Sequence, residues 1–140
     1  MAMISLIVGN KGTGKTKRLI ETLEQKANTS SGHVVCVEKG KKLTYDVTHK
    51  VRLIDTENYG ISSYDELYSF IGGICAGDHD VTDICIDGTL KIGGRDFEGL
   101  VHFLDRLSAL AEDANTNMLL TISCDQSELP DGIHHVAQII

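Results

Sequence analysis

Gly9-Asn10-Lys11-Gly12-Thr13-Gly14-Lys15-Thr16 decides how the rest of this chain is read. The stretch has the form G-x-x-x-x-G-K-[ST]. An apolar run from Ile4 to Val8 leads into it. Behind it, Leu19, Ile20, Leu23 and Ala27 recur on one face of a helix read over Thr16–Lys26. Glycines in such a loop let successive backbone N–H groups turn inward around a phosphate. The helix start at Lys15 and Thr16 adds unpaired N–H groups and the positive end of the helix dipole. Lys15 is placed to reach β- and γ-phosphates, and the Thr16 hydroxyl to ligate Mg²⁺, a cation that takes oxygen ligands and keeps several waters. The alternative is a glycine-rich turn with a surface lysine. The strand before the stretch and the helix after it argue for the phosphate reading. The candidate nucleotide-binding residues are therefore Gly9, Asn10, Lys11, Gly12, Thr13, Gly14, Lys15, Thr16 and Lys17, with Lys11 read as a solvated lysine near the phosphates.

Working outward, apolar runs alternate with helical patterns along the whole chain. Strands are expected at Ile4–Val8, His33–Glu38, Val51–Asp55, Val81–Asp87, Met118–Ser123 and Val136–Ile140. Ser63-x-x-Glu66 is a capping box, and Leu67, Phe70, Ile71 and Ile74 follow it at helical spacing. A longer helix is expected from Asp96 to Asp113, with Phe97, Leu100, Val101, Leu104 and Leu107 as its buried stripe. Gly40–Lys50 could form either a short helical turn or a small hairpin. Alternating strands and helices predict an α/β fold: a three-layer α/β/α sandwich on a mainly parallel sheet of five to six strands. Ligands bind such sheets at the carboxyl ends of the strands. Gly9–Thr16, Glu38, Asp55, Asp87 and Ser123 then form one rim.

Length and composition narrow the class. At 140 residues the chain is read as one domain, 1–140, and 41% hydrophobic residues suit an ordinary globular protein. The net charge of -7 and the absence of Trp leave no nucleic-acid surface evident, since a phosphate backbone would be repelled and stacking platforms are scarce. Lys11, Lys15, Lys17 and Arg18 concentrate positive charge near one end. Cys36, Cys75, Cys85 and Cys124 form no C-x-x-C pair, so a zinc site is not expected. His134-His135 reads as a helix-end pair and Asp78-His79-Asp80 as a solvated loop. No apolar run reaches the ~20 residues of a membrane helix, and Met1 to Val8 leads straight into the motif without a signal peptide. A cytoplasmic protein is expected.

A Mg²⁺-bound triphosphate calls for an acidic residue at the end of a second buried strand. Ile84-Cys85-Ile86-Asp87 has that form, so Asp87 joins Thr16 as a candidate metal ligand. The competing reading of Asp87 is a turn residue before Gly88. Asp83 is the weaker alternative, because it enters the strand rather than leaving it. Arg95, after Gly93-Gly94 in an expected loop, could stabilise transferring charge or simply be solvated.

On Gly9–Thr16 and Asp87, with two strand-like segments between them, the chain resembles the P-loop NTPase superfamily, and within it the RecA-like division with an additional strand. The resemblance implies a P-loop nucleoside triphosphate hydrolase fold, ATP as ligand and Mg²⁺ as cofactor. Many P-loop ATPases place a water-orienting Glu directly after the metal-binding Asp, where this chain has Gly88. RecA-like ATPases place it at the end of the strand that follows the P-loop helix, which is Glu38 here. Glu38 is accordingly a candidate catalytic base beside Lys15, its alternative being a surface Glu paired with Lys39 or Lys41. Ser123 lies where related folds sense the γ-phosphate, its alternative being a hydroxyl capping its own backbone. The layout is also similar to the cytoplasmic thymidine kinases, which differ by a catalytic Glu in place of Gly88 and by a zinc-bound cysteine lasso. The expected function is ATP binding with slow Mg²⁺-dependent hydrolysis. A nucleotide-sensing module and a kinase for a nucleoside-type small molecule are the alternatives, with a homo-oligomer or protein partner completing the site by analogy.

Overall fold

Val34-Val35-Cys36-Val37 and Ile84-Cys85-Ile86 are apolar at consecutive positions, so each must lie in a sheet covered on both faces. The computed structural model, which describes residues 3–140, places these two runs side by side. Six strands form one parallel sheet: β1 (Ile4–Val8), β2 (His33–Glu38), β3 (Val51–Asp55), β4 (Val81–Asp87), β5 (Asn117–Ile122) and β6 (Gln138–Ile139). Their spatial order is β3-β2-β4-β5-β1-β6, with every neighbouring pair parallel. Met1 and Ala2, from which the run into the first strand was read, lie outside the described residues.

Helix α1 (Lys15–Thr29) covers one face of the sheet. Its Leu19 and Leu23 are fully buried against Ile7, Val34, Cys36, Cys85 and Leu119. Helices α2 (Tyr64–Gly77) and α4 (Phe97–Ala114) cover the other face, over Ile4, Leu6, Val35, Val37, Ile84, Ile86 and Leu120. Alternate residues of each central strand thus feed opposite layers, and each buried aliphatic side chain contributes about 1.5–3 kcal/mol. The expected sandwich is the one observed. Ser63 caps α2 by accepting from the Glu66 N–H, but the Glu66 carboxylate takes the Ser62 N–H at 2.9 Å and not that of Ser63, so the expected reciprocal box is half formed. Asp96 caps α4 by accepting from the Gly99 N–H.

Several boundaries differ from the sequence reading. Strand β5 ends at Ile122, so Ser123 follows the sheet instead of closing it, and Val136 precedes β6. The stripe of α4 is Leu100, Phe103, Leu104, Leu107 and Ala111, while Phe97 and Val101 are only partly buried at its flank. A stripe centred one turn later lets Phe103 pack on Tyr64 of α2, with ring centroids 5.3 Å apart. Gly40–Lys50 makes neither strand nor hairpin. It is a chain of turns held by bonds such as Asp46 N–H to Leu43 C=O at 3.1 Å. Arg95 does lie in a loop, at 94–96, but a short helix that the sequence did not signal, α3 (Thr89–Gly93), comes between it and Asp87. His134 and His135 close a 3₁₀ turn, as a helix-end pair would. All four cysteines are free, and Cys36 and Cys85 are buried neighbours across β2 and β4. Among the described residues no helix is long and apolar enough to cross a membrane.

Candidate functional site

The loop between β1 and α1 is built around one carbonyl. Asn10 C=O accepts from the Thr13 hydroxyl at 2.7 Å, from the Thr13 N–H at 3.3 Å and from Lys15 Nζ at 3.0 Å. Gly14 holds φ at 85°, a left-handed conformation that starts α1 with its free N–H groups facing outward, and a side chain there would strain it. Lys15 is buried to 8% exposure, whereas Lys11, Thr16 and Lys17 are exposed. One ammonium is therefore held in a partly desolvated place, where its attraction for an anion is strongest.

Across the mouth of the loop lies the end of β4. Asp87 Oδ1 accepts from the Thr121 hydroxyl of β5 at 2.7 Å, and the same Thr121 oxygen accepts from the Gly88 N–H at 2.8 Å. Thr121 is buried and locks the carboxylate and the following peptide in one arrangement. Gly88 sits at φ 71°. A Glu in its place would have to enter the left-handed region at a cost of about 1–2 kcal/mol, so the backbone here disfavours a second carboxylate after Asp87.

These parts share one cavity of about 540 Å³, lined by Lys11, Gly12, Gly14, Lys15, Thr16, Lys17, Lys42, Asp87, Gly88, Lys91, Thr121 and Ser123. Five lysines and a single carboxylate face it, in a chain whose net charge is -7. The positive charge is thus focused where the loop opens, as an anion site requires.

The donor set fits Mg²⁺ in company with phosphate. Thr16 and Asp87 offer hard oxygen atoms in the same cavity, and the bond from Thr121 to Asp87 occupies Oδ1. Two protein oxygens make no complete cage, so phosphate oxygens and waters would have to supply the other ligands. Among the described residues, the grouped side chains with metal-ligand geometry are instead His33, Asp78 and Asp80, at the opposite ends of β2 and β4. There His33 Nδ1 and Asp78 Oδ2 pair at 2.6 Å.

Glu38 ends β2 directly beside Asp87, its register partner on β4. It is buried, not a surface residue, and its Oε2 accepts from the Leu43 N–H at 3.1 Å. It does not line the cavity. Burial pushes its carboxyl above the usual range, with the nearby charge of Asp87 adding to the effect and the Leu43 N–H opposing it. A carboxyl whose folded pKa is raised contributes stability that is complete below its unfolded value and lost as pH rises through the folded value. Glu38→Gln, which cannot titrate, should therefore gain stability relative to wild type as pH climbs above the ordinary carboxylate range. Urea midpoints through and above that range check it. A constant difference would mean that the carboxyl titrates alike in the folded and unfolded chain.

The same α/β core is found in solved structures. The structure of PCH-2 from C. elegans superposes on 98% of this chain with a TM-score of 0.54 and 16% sequence identity. No protein-family model and no curated protein sequence matches the chain. The fold is a P-loop α/β fold. The chain spans 34% of the PCH-2 chain it matches, so the likeness concerns the core alone.

Within this P-loop fold the predicted residues divide clearly. Lys11, Gly12, Gly14, Lys15, Thr16, Lys17, Asp87 and Ser123 meet at the cavity, while Gly9, Asn10 and Thr13 build the loop behind it. Ser123 contributes its carbonyl to Arg95 Nη1 at 3.0 Å. Arg95, expected in a loop, is tied down by that bond and by Glu128 at 3.3 Å, and it does not line the cavity. Asp83 lies farther back along β4, 3.7 Å from Lys26. Thr121, Lys42 and Lys91 were missed. Thr121 had a signal: it is the lone hydroxyl in Met118-Leu119-Leu120-Thr121-Ile122, and a buried hydroxyl needs a partner. The two lysines had none, because each lies in a segment whose turns bring it over the rim only in the folded chain.

Proposed function

We propose that this chain binds ATP at Gly9–Thr16 with Mg²⁺ held by Thr16 and Asp87, and hydrolyses it slowly. The observation that carries this reading is the shared cavity in which the glycine-rich loop faces Asp87, under an excess of lysines. When bound, Mg²⁺ would draw charge off the phosphate oxygens. The residues of the chain do the remainder. Loop N–H groups and Lys15 hold the phosphates, Thr121 keeps Asp87 aimed at the cavity, and Glu38 is the one carboxylate near Asp87 on β2 that could orient water. Strand β5, lying between β1 and β4, supports a place in the RecA-like division with its additional strand. We also read residues 1–140 as a single nucleotide-binding domain of a cytoplasmic protein, in which a second copy or a protein partner completes the site.

A specific observation favours a second reading, a nucleotide-sensing module without appreciable turnover. Gly88 stands where a water-orienting Glu would be, and the Glu38 carboxylate is occupied by the Leu43 N–H. ATP turnover with Mg²⁺, measured beside an ATP-binding titration, separates the two. Binding with turnover that disappears in Glu38→Gln supports the hydrolase with Glu38 as base. Binding with no turnover supports the sensor. An absence of binding rejects both.

Asp87→Asn keeps the Thr121 bond but removes the charge that attracts the cation. Its expected effect is a loss of about tenfold or more in Mg²⁺ affinity of the nucleotide complex, with nucleotide affinity in excess Mg²⁺ reduced much less. Mg²⁺ titrations at fixed nucleotide read this directly, and an unchanged midpoint would remove Asp87 from the metal site.

A further inference from the structure

The ends of β2 and β4 are in register, Glu38 opposite Asp87, and each is followed four residues later by a lysine, Lys42 and Lys91. Two different turns bring these lysines back over the strand ends. The Glu38 carboxylate takes the Leu43 N–H at 3.1 Å and so pins the turn that carries Lys42. Lys91 belongs to α3, where its N–H donates to Gly88 C=O at 2.9 Å and its stem lies over Gly88, Cδ 3.4 Å from where a Cβ would stand. Both side chains line the loop cavity with Lys11 and Lys15.

Lys42 and Lys91 line the same cavity, and the charge of Lys42 is the main cause that lowers the Lys91 pKa, with Asp87 opposing and Lys11 adding to it. Two ammonium groups so close repel, and the chain has acidic residues in excess that could have separated them. Only one carboxylate, Asp87, faces the cavity with them. An anion with several oxygens between the two lysines turns this repulsion into two charge-assisted hydrogen bonds.

We infer that Lys42 and Lys91 form a two-sided clamp for the terminal phosphate of a triphosphate whose inner phosphates lie in Gly9–Thr16. This rests on the nucleotide-binding reading above and adds to it a discrimination: the clamp engages triphosphate and leaves diphosphate untouched. The buried Glu38 acts in it as a positioning residue, holding the turn of Lys42.

The test is a calorimetric titration of the full chain in Mg²⁺ with a non-hydrolysable ATP analogue and with ADP. Wild type is compared with Lys42→Gln, Lys91→Gln and, as a charge control at an exposed site outside the cavity, Lys50→Gln. All three are exposed positions, so folding should be preserved. Each clamp variant should lose about tenfold in affinity for the triphosphate, equivalent to ~1.4 kcal/mol, and less than about threefold for ADP, with Lys50→Gln moving neither ratio. Equal losses for both nucleotides, or none, overturn the clamp. If wild type binds neither nucleotide, the nucleotide reading fails separately, and inorganic tripolyphosphate then decides. Capture by wild type that is lost in the double variant Lys42→Gln/Lys91→Gln sustains the clamp, and absence of capture overturns it.

Discussion

Lys15→Ala should lose at least about a hundredfold in triphosphate affinity, ~2.7 kcal/mol, the largest effect of any single change at the site. The reason lies in where the charge sits. Lys15 is 8% exposed, while the other cavity lysines, Lys11, Lys17, Lys42 and Lys91, are exposed and screened by water. Its Nζ is already directed into the loop by the Asn10 carbonyl at 3.0 Å, so little side-chain entropy remains to be lost when a phosphate arrives. Removing it also frees one of the three donors gathered on Asn10, which loosens the loop itself. Fluorescence or calorimetric titration with ATP and Mg²⁺ gives the number. Retention of wild-type affinity would remove the loop as the phosphate site, and a loss no larger than that of Lys17→Ala would reduce Lys15 to one charge among several. Thermal unfolding of the unliganded variant separates loss of binding from loss of fold.

Thr121→Val should lower stability by about 2–3 kcal/mol and weaken the Mg²⁺ dependence of nucleotide binding together. Valine has the same shape but neither donates nor accepts. Asp87 Oδ1 loses its 2.7 Å donor, and the Gly88 N–H loses its 2.8 Å acceptor in a half-buried place where water replaces them incompletely. A hydrogen bond to a charged group is stronger than a neutral one, so the Asp87 half of the loss dominates. For a chain of this size the melting temperature should fall by roughly 5–10 °C. Thr121→Ser, which restores the hydroxyl, should recover most of both effects. If Thr121→Val lowers stability while the Mg²⁺ dependence stays as in wild type, Thr121 holds the strand end but does not aim the carboxylate. If neither changes, the relay through Thr121 carries no weight.

How much of this was legible beforehand varies with distance along the chain. The strands, the two main covering helices and the cap at Ser63 follow from residues within one turn or one strand of each other, and the structure reproduces them to within a residue or two, adding a cap at Asp96. The α4 stripe was misread because a helix of eighteen residues with apolar positions on both sides of Leu100 and Leu104 offers two overlapping faces. Packing on Tyr64 selects the one that contains Phe103. The Asp-Gly pair after β4 signalled a turn correctly, but whether a loop or a helix follows it depends on Leu90 and Ile92 finding a place in the core, where both are buried.

The site divides along the same line. The reading of Gly9–Thr16 as a phosphate loop comes from the sequence by itself, because eight contiguous residues, the strand before them and the helix after them carry the glycines, the lysine and the helix start on which it rests. Asp87 was readable as the polar end of an apolar strand. Only the tertiary structure decides that Thr121 of β5 holds Asp87, that Glu38 is buried and pins Leu43, and that Lys42 and Lys91 line one cavity together. These relations depend on strand order and register, which place β4 between β2 and β5 with Glu38 level with Asp87. Register arises from packing the entire sheet against two helical layers, and a contact between residues dozens of positions apart leaves no periodicity in the chain from which it could be read.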